Sequence, residues 1–513
     1  MLVKILSATI YGIDALLVTV EVNILNGAKF IIVGLPDTAV RESQQRIDSS
    51  LRMIGERIPG KRVIINMAPA DIKKEGALFD LPLAIGILAA NEKLESNMLN
   101  STMFIGELSL DGTLQAIKGA LPATIAAKEA GMERIVLPVE NAAEASVVQG
   151  IKVYGFRKLE EVILFLRHQI EIEPTPFHNN GMMANTNSRD SDFADVRGQE
   201  QAKRALEIAA CGSHNILLIG SPGAGKTMLS KRLPSIMPPM TEEEALEVTK
   251  IHSVAGYMEN GIGLITQRPF RSPHHSASES SLIGGGSIPK PGEISLACNG
   301  CLYLDELPEF RRHTLELLRQ PLEDREICIT RVHGAVKFPA NFLLVASMNP
   351  CPCGYYTHPT HECSCNEWTI KKYLAKISGP LLDRIDMHIA VAPVEIDKMA
   401  QSDEIIENSA TIRERVIKGR EIQTYRFRND KGIFCNAQMD SAMIRRYCKL
   451  TPECSNLLTR AVERIGASAR TYDRIIKVAR TIADLKGNEK IAPAEIAEAL
   501  QYRCLDRNNW GDR

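Results

Sequence analysis

The segment GSPGAGKT at 220–227 constrains this chain more than any other. It follows the apolar run NILLIG (215–220) and opens a helical pattern, so it reads as a buried strand, a glycine-rich turn and a helix start. Such a turn points backbone N–H groups inward around phosphate oxygens, and the helix N-terminus adds its positive dipole end. Gly220, Ser221, Pro222, Gly223, Ala224 and Gly225 would form the cradle. Lys226 would reach the β- and γ-phosphates, and Thr227 would offer its hydroxyl to Mg²⁺. The pattern calls for an α/β fold with a parallel sheet, and for ATP with Mg²⁺ as its ligands.

The remaining parts of such a site lie downstream. CLYLDE (301–306) reads as a buried strand with Asp305 and Glu306 at its C-terminal end, where open α/β sheets bind ligands. Asp305 would hold Mg²⁺, directly or through water, and Glu306 would orient and deprotonate an attacking water. FLLVASMN (342–349) ends a third strand with Asn349, placed to help hold that water. LLDRIDMHIAV (381–391) sets Arg384 between a helix end and a further strand; a guanidinium there suits transition-state charge, in cis or from a neighbouring subunit. In SARTYDRIIKVARTIADL (468–485), Ser468 caps a helix whose first turn carries Arg470, a second candidate for the γ-phosphate, with Arg474 as fallback.

A chain of 513 residues implies about three domains. With 44% hydrophobic and 24% charged residues it is neither disordered nor fibrous. There are no internal repeats. LPLAIGILAA (81–90) falls well short of the roughly 20 residues that span a bilayer, and the N-terminal apolar stretch is too short for a signal peptide. These features predict a soluble, cytoplasmic protein, and 12 Cys in such a length predict reduced thiols. The Asn- and Ser-rich segment 174–192 reads as a linker between an α+β unit (1–173) and a motor core (193–395) followed by a helical lid (396–513). In the first unit, RVIINM (62–67), MFIGEL (103–108), RIVLP (134–138) and KVYGF (152–156) read as strands, and 38–55 and 119–131 as helices. In the motor, helices are expected at 312–322 and 370–377. The net charge of −1 announces no nucleic acid, but Thr411–Lys486 holds 17 Lys/Arg against 8 Asp/Glu, either a solvated helical face or a surface for nucleotide or nucleic acid.

GSPGAGKT, LDE, the Asn after the third strand and LLDRID together resemble the AAA+ ATPases. RSPHHSASESSLIGGGSIPKPGEISLACNGCLYLDELPEF (271–310) resembles their magnesium-chelatase-like branch, and nearly the whole chain resembles the ComM/YifB family, which is associated with DNA branch migration in natural transformation. That resemblance implies a homo-hexameric ring acting on branched or single-stranded DNA, a trans-acting finger at Arg384, a lid sensor at Arg470, and adenine contacts from Val196 and Gly198 in ADVRGQ (194–199). GELSLDGTLQAIKGALPATIAAKEAGMERIVLP (106–138) resembles the Lon protease domain, of ribosomal S5 domain 2-like fold. The Ser–Lys dyad is missing: Leu121 stands at the Lys position, and KEGALFDLP (74–82), the Ser region, has no Ser. Lys118 serves only on a shifted alignment, still without a Ser, so proteolysis is not expected. The competing reading is a metal-insertion motor like the magnesium-chelatase subunit, though no DxSxS metal-binding motif accompanies it. A non-enzymatic scaffold would need a broken nucleotide site.

Three insertions complete the reading. FRSPHHSASESSLIGGGSIPKPG (270–292) is a loop or hairpin that the resemblance directs into the ring pore; His274 and His275 suggest a metal site, but adjacent His side chains diverge on most backbones, which favours a structural pair over ligation. REICITRVHGAVKFPANF (325–342) reads as a hairpin with Arg331, His333 and Lys337 near its tip, either gripping phosphates or simply keeping an edge soluble. CPCGYYTHPTHECSC (351–365) carries two C-x-C pairs, so Cys351, Cys353, Cys363 and Cys365 predict a structural Zn²⁺ site, with unmetallated thiols and a redox role as alternatives.

Overall fold

The computed structural model describes residues 2–177, 192–393 and 407–506, apart from 75, 96, 260, 287–288, 332–333, 431 and 466–467. Most of the expected linker, the expected 395/396 boundary and His333 therefore lie outside the described residues.

The first unit is built on a seven-stranded mixed sheet. Its spatial order is Phe30–Val33, Arg62–Ala68, Asp14–Leu25, Leu2–Tyr11, Thr102–Phe104, Arg134–Pro138 and Lys152–Phe156. Sequence periodicity finds the last three and Arg62–Ala68 but overlooks the long antiparallel pair Leu2–Tyr11 and Asp14–Leu25. Val18, Val20 and Val22 alternate inward as a half-buried strand requires, but Ser7 and Thr9 are buried as well and blur the pattern of the first strand. The apolar helix Asp80–Ala90 is buried along its whole length. It lies so close to the sheet that a Cβ at Gly86 would come within 2.7 Å of Val22. MFIGEL is not one strand. The sheet strand stops at Phe104, where Gly106 N–H turns to Leu78 O (2.9 Å), and Glu107–Leu108 pairs instead with Leu114–Gln115.

The second sheet has five parallel strands in the order Phe270–Arg271, Cys301–Leu304, Leu343–Met348, Ile216–Ile219 and Met387–Ala390. The central strands are buried on both faces, as a helix-covered parallel sheet requires. The helix expected at 312–322 is two short ones, Arg312–Glu316 and Arg319–Asp324, because Pro321 lacks the N–H that would continue the ladder. The other expected helix runs Glu367–Leu374.

Helices Ser409–Phe427, Ser441–Tyr447, Pro452–Ile465, Ala469–Leu485 and Pro493–Gln501 form the C-terminal part. Part of its basic content turns inward, while Lys418, Arg428, Arg445, Arg446, Lys449, Arg460 and Arg464 stay exposed. Arg415 pairs with Glu207 (2.5 Å), Arg420 donates to Cys211 O (3.0 Å), and Arg426 and Arg480 both pair with buried Asp484. Arg474 pairs with Asp386, which also accepts Asn215 N–H at 2.9 Å. Burial alone would raise Asp386, but Arg474 and His214 hold its carboxyl far below the ordinary range. Asp386→Ala should therefore cost about 3 kcal/mol by stranding Arg474, read from urea unfolding followed by circular dichroism; a loss below about 1 kcal/mol would refute the assignment.

The two sheets are joined through the helix Glu242–Ala255. Gly119 N–H donates to Ser253 O (3.2 Å), Lys250 pairs with Asp14 (3.0 Å), and the Ser253 hydroxyl donates to buried Glu144. Burial pushes the Glu144 carboxyl up.

Candidate nucleotide site

The glycine-rich turn sits at the C-terminal end of the strand Ile216–Ile219 and opens the helix Lys226–Ile236. Gly220 has no room for a side chain, since a Cβ would lie 2.4 Å from Val391 O. Gly225 holds φ +85° as the residue before the helix, a conformation that only glycine adopts readily. Lys226 curls back over the turn. Its Nζ donates to Gly220 O (2.6 Å), Ser221 O (2.9 Å) and Asn349 Oδ1 (3.2 Å). Burial pushes its ammonium down, against the pull of Asp305 and Glu306.

Asp305 and Thr227 face each other at 3.0 Å, the Thr227 hydroxyl donating to the carboxylate. Tyr303 donates to Thr227 (3.2 Å) and shares a 3.0 Å contact with Ser347, whose hydroxyl in turn donates to Asp305. Burial would raise Asp305, but the hydrogen bonds from Ser347, Thr227 and Tyr303 win and keep its carboxyl below the usual range. Burial pushes the Tyr303 phenol up to about 12, so it remains a donor. Two hard oxygen groups this close fit Mg²⁺, which prefers one or two such ligands beside phosphate oxygens.

Glu306 leaves the strand end at φ +51° and stays largely exposed. It borders a cleft of about 390 Å³ together with Asn349, Pro352, Lys372 and Tyr373. His275 reaches this carboxylate, with Nδ1 3.7 Å from Glu306 Oε2. Its ring packs edge-on against Phe310 and beside His274. The reading of His274 and His275 as a structural pair thus missed a neighbour of the acidic group. Phe270 pairs with Cys301 and Arg271 with Leu302, which brings the chain after Arg271 beside the strand that ends before Asp305 and Glu306.

Val196 is buried in the same core cluster as Ala224 of the turn, and Gly198 holds φ +63°. Gln199, which the sequence did not single out, ties the segment down by donating to Ala224 O (3.2 Å) and Ala392 O (2.5 Å).

Arg384 lies elsewhere. Asp386 N–H and Met387 N–H both bind Asn215 O, which puts this segment at the N-terminal end of Ile216–Ile219. The turn is at the other end, about 13 Å away along four residues of strand. Arg384 is 5% exposed, donates to Pro380 O (2.7 Å) and pairs with Glu323 (2.6 Å). Arg474 donates to Arg384 O at 2.9 Å. Burial would raise Glu323, yet Arg384, Arg470 and Arg474 together hold its carboxyl below the ordinary range. Arg470 is exposed one turn before Arg474. The structure thus gathers Arg470 with Arg384 and Glu323 rather than bringing it to the chain's own phosphate loop, because the Arg474–Asp386 pair pins that helix to the far end of the sheet.

The four cysteines converge. Sγ–Sγ separations are 3.3 Å (Cys351–Cys353), 3.7 Å (Cys351–Cys363) and 3.6 Å (Cys353–Cys363), and all four sulfurs lie within 4.8 Å of one another. The hairpin Glu326–Arg331 and Gly334–Pro339 forms as expected, with Arg331 opposite Gly334 at the tip. Lys337 is not at the tip. It stands opposite Cys328, three pairs back, and pairs with Glu326 at 2.7 Å. Leu121 is fully buried, its N–H bound to Glu144 (2.8 Å), and Lys118 packs against Gly256 of the motor.

Family models for magnesium chelatase, subunit ChlI, match residues 192–399, with a ChlI model at 20–141 and the ChlI C-terminal model at 406–503. Competence protein ComM of Haemophilus influenzae is 45% identical over 97% of this chain and 96% of its own length. YifB of Escherichia coli K12 is 42% identical, again over 97% of this chain and 96% of its own. The N-terminal sheet has its own echo: Lon protease 2 of Bacillus subtilis is 27% identical over 165 residues, 31% of this chain and 29% of that protein. Similarity of this extent, running through both sheets and the helical C-terminus, makes the chain a member of the ComM/YifB family of magnesium-chelatase-like AAA+ proteins.

Proposed function

We propose that the protein is an ATP-hydrolysing, homo-hexameric motor that remodels branched or single-stranded DNA, a branch-migration helicase of recombination or natural transformation working in the cytoplasm. The catalytic half of this reading rests on one observation: two hydrogen-bonded pairs, Lys226–Asn349 and Thr227–Asp305, stand on adjacent residues where the glycine-rich turn opens its helix, with Glu306 next to Asp305 at the edge of the cleft. Lys226 holds the β- and γ-phosphates, Asn349 and Glu306 position water, and Glu306 takes its proton. Thr227 and Asp305 hold Mg²⁺, which when bound neutralises charge on the transferred phosphoryl group. Val196 and Gly198 flank the base.

The ring half rests on Arg384 and Arg470 lying together at the end of the sheet away from their own phosphate loop, where they can serve a neighbour. The DNA half leans on the name and similarity of the competence relative and on the hairpin that presents Arg331. Proteolysis is not part of the function, since Leu121 cannot act as the base and the segment 74–82 has no Ser to act as nucleophile. The cysteine cluster holds a structural Zn²⁺.

ATPase rates with single-stranded, duplex and forked DNA test the reading. Stimulation by at least one form is expected. The chelatase family models favour a second reading, a metal-insertion motor, and rates indifferent to every DNA form would select it. His275→Ala should lower kcat by about two- to fivefold with little change in KM, the worth of an exposed charge contact of about 0.5–1 kcal/mol. An unchanged kcat would remove His275 from the site.

The membrane is not an expected partner. No helix among the described residues is long and apolar enough to cross one.

A further inference from the structure

We propose that the metal held by Cys351, Cys353, Cys363 and Cys365 sets the shape of the phosphate loop, so that nucleotide affinity depends on metal occupancy. That zinc is the ion is taken from the functional reading above; what is added is its task.

The cluster suits the ion. Zinc–thiolate bonds of about 2.3 Å in a tetrahedron put the sulfurs about 3.8 Å apart. The measured separations of 3.3, 3.7 and 3.6 Å approach this, and the fourth sulfur falls within the same 4.8 Å group. Tyr356 N–H donates to Cys351 Sγ (3.3 Å), the kind of outer contact that orients a ligating thiolate. All four ligands are soft sulfur, which selects zinc over magnesium or calcium.

The cluster also has a place in the site. Cys351 follows Asn349 by two residues, and Asn349 accepts from Lys226. Gly354, turned at φ +86° and donating its N–H to Cys351 O (3.0 Å), lies directly against the loop. A Cβ on Gly354 would stand 2.6 Å from Pro222 Cδ. Pro352 lines the same cleft as Glu306 and Asn349. The segment 350–366 contains no helix or strand; Tyr355, His358 and His361 pack on one another, but its outer cysteines are only half-buried, so packing onto the core holds little of it beyond Cys351 and Gly354. A stretch this long without regular structure needs another constraint. The metal supplies it, and the constraint passes through Gly354 to Pro222 and through Asn349 to Lys226.

The test uses the full chain purified without chelator. Metal analysis should find one zinc per chain, and titration with a fluorescent ATP analogue gives the affinity. Stripping zinc with a strong chelator should weaken binding at least tenfold, and adding zinc back should restore it. Cys363→Ser should lose zinc and affinity together. Gly354→Ala should keep zinc yet weaken nucleotide binding, because the added methyl meets Pro222. If Cys363→Ser does not fold, the stripping and re-addition arms still decide. Iron in place of zinc, or no stoichiometric metal, would overturn the zinc reading and this inference with it. Zinc present, with affinity unchanged after stripping, would overturn the inference alone. Wild-type protein that binds no ATP analogue would overturn the nucleotide reading and this with it.

Discussion

Arg384→Ala is expected to lower ATP turnover by about 10³-fold or more while nucleotide binding is retained. The binding groups are held by their own partners, Lys226 by Asn349 and Thr227 by Asp305, while Arg384 is held by Pro380 O and Glu323. Arg384 is held by Glu323 at the opposite end of the sheet and cannot reach its own phosphate loop without crossing it. In a ring it would exchange Glu323 for the neighbour's γ-phosphate, a charge-for-charge swap that keeps the guanidinium paired. Mixing Arg384→Ala with Lys226→Ala should then restore part of the turnover. Some mixed interfaces pair an intact phosphate loop from one chain with an intact finger from the other. ATPase rate is measured against mixing ratio after subunit exchange has been demonstrated. If Arg384 merely anchors Glu323, mixing restores nothing, and Glu323→Ala reproduces the loss.

Glu306→Gln should reduce hydrolysis by roughly 10²–10⁴-fold, the value of a positioned base, with ATP affinity and assembly intact. Asp305 is already occupied by Thr227 and Ser347, and its carboxyl is held below the usual range, so it is a poor proton acceptor. Glu306 faces the cleft with His275 as its neighbour, whereas Glu309, the other carboxylate lining it, is paired with Lys376 at 3.1 Å. Gln keeps the size and the left-handed backbone position while removing the basic oxygen. Single-turnover hydrolysis and analogue titration separate the two effects. Turnover within tenfold of wild type would place the base elsewhere.

The phosphate loop and Asp305–Glu306 were readable because each is local: a short strand, then the polar group, at fixed spacing. His275 was not, because its approach to Glu306 depends on a two-residue strand, Phe270–Arg271, too short to show any period. The fold of the motor was legible from three apolar runs, whereas Leu2–Tyr11 was hidden by buried Ser7 and Thr9. Lys337 was misplaced because hairpin register is not visible in composition: with Arg331 opposite Gly334, Lys337 must face Cys328. The basic content of 411–486 is divided: Arg415, Arg420, Arg426, Arg474 and Arg480 brace the fold, while Lys418, Arg428, Arg445, Arg446, Lys449, Arg460 and Arg464 stay exposed as the surface reading expects. Composition records charge but not which way a side chain turns. Arg470 followed the same logic, its position set by where Arg474 finds Asp386.

The central claim, that ATP hydrolysis here moves DNA branches, is tested most directly on a labelled four-way junction built from synthetic strands. With wild-type protein, ATP and Mg²⁺, the junction should resolve into duplex products, and the same protein with a non-hydrolysable ATP analogue, or Glu306→Gln with ATP, should leave it intact. A junction untouched by wild-type protein that hydrolyses ATP normally, with DNA of every form tried, would contradict the account.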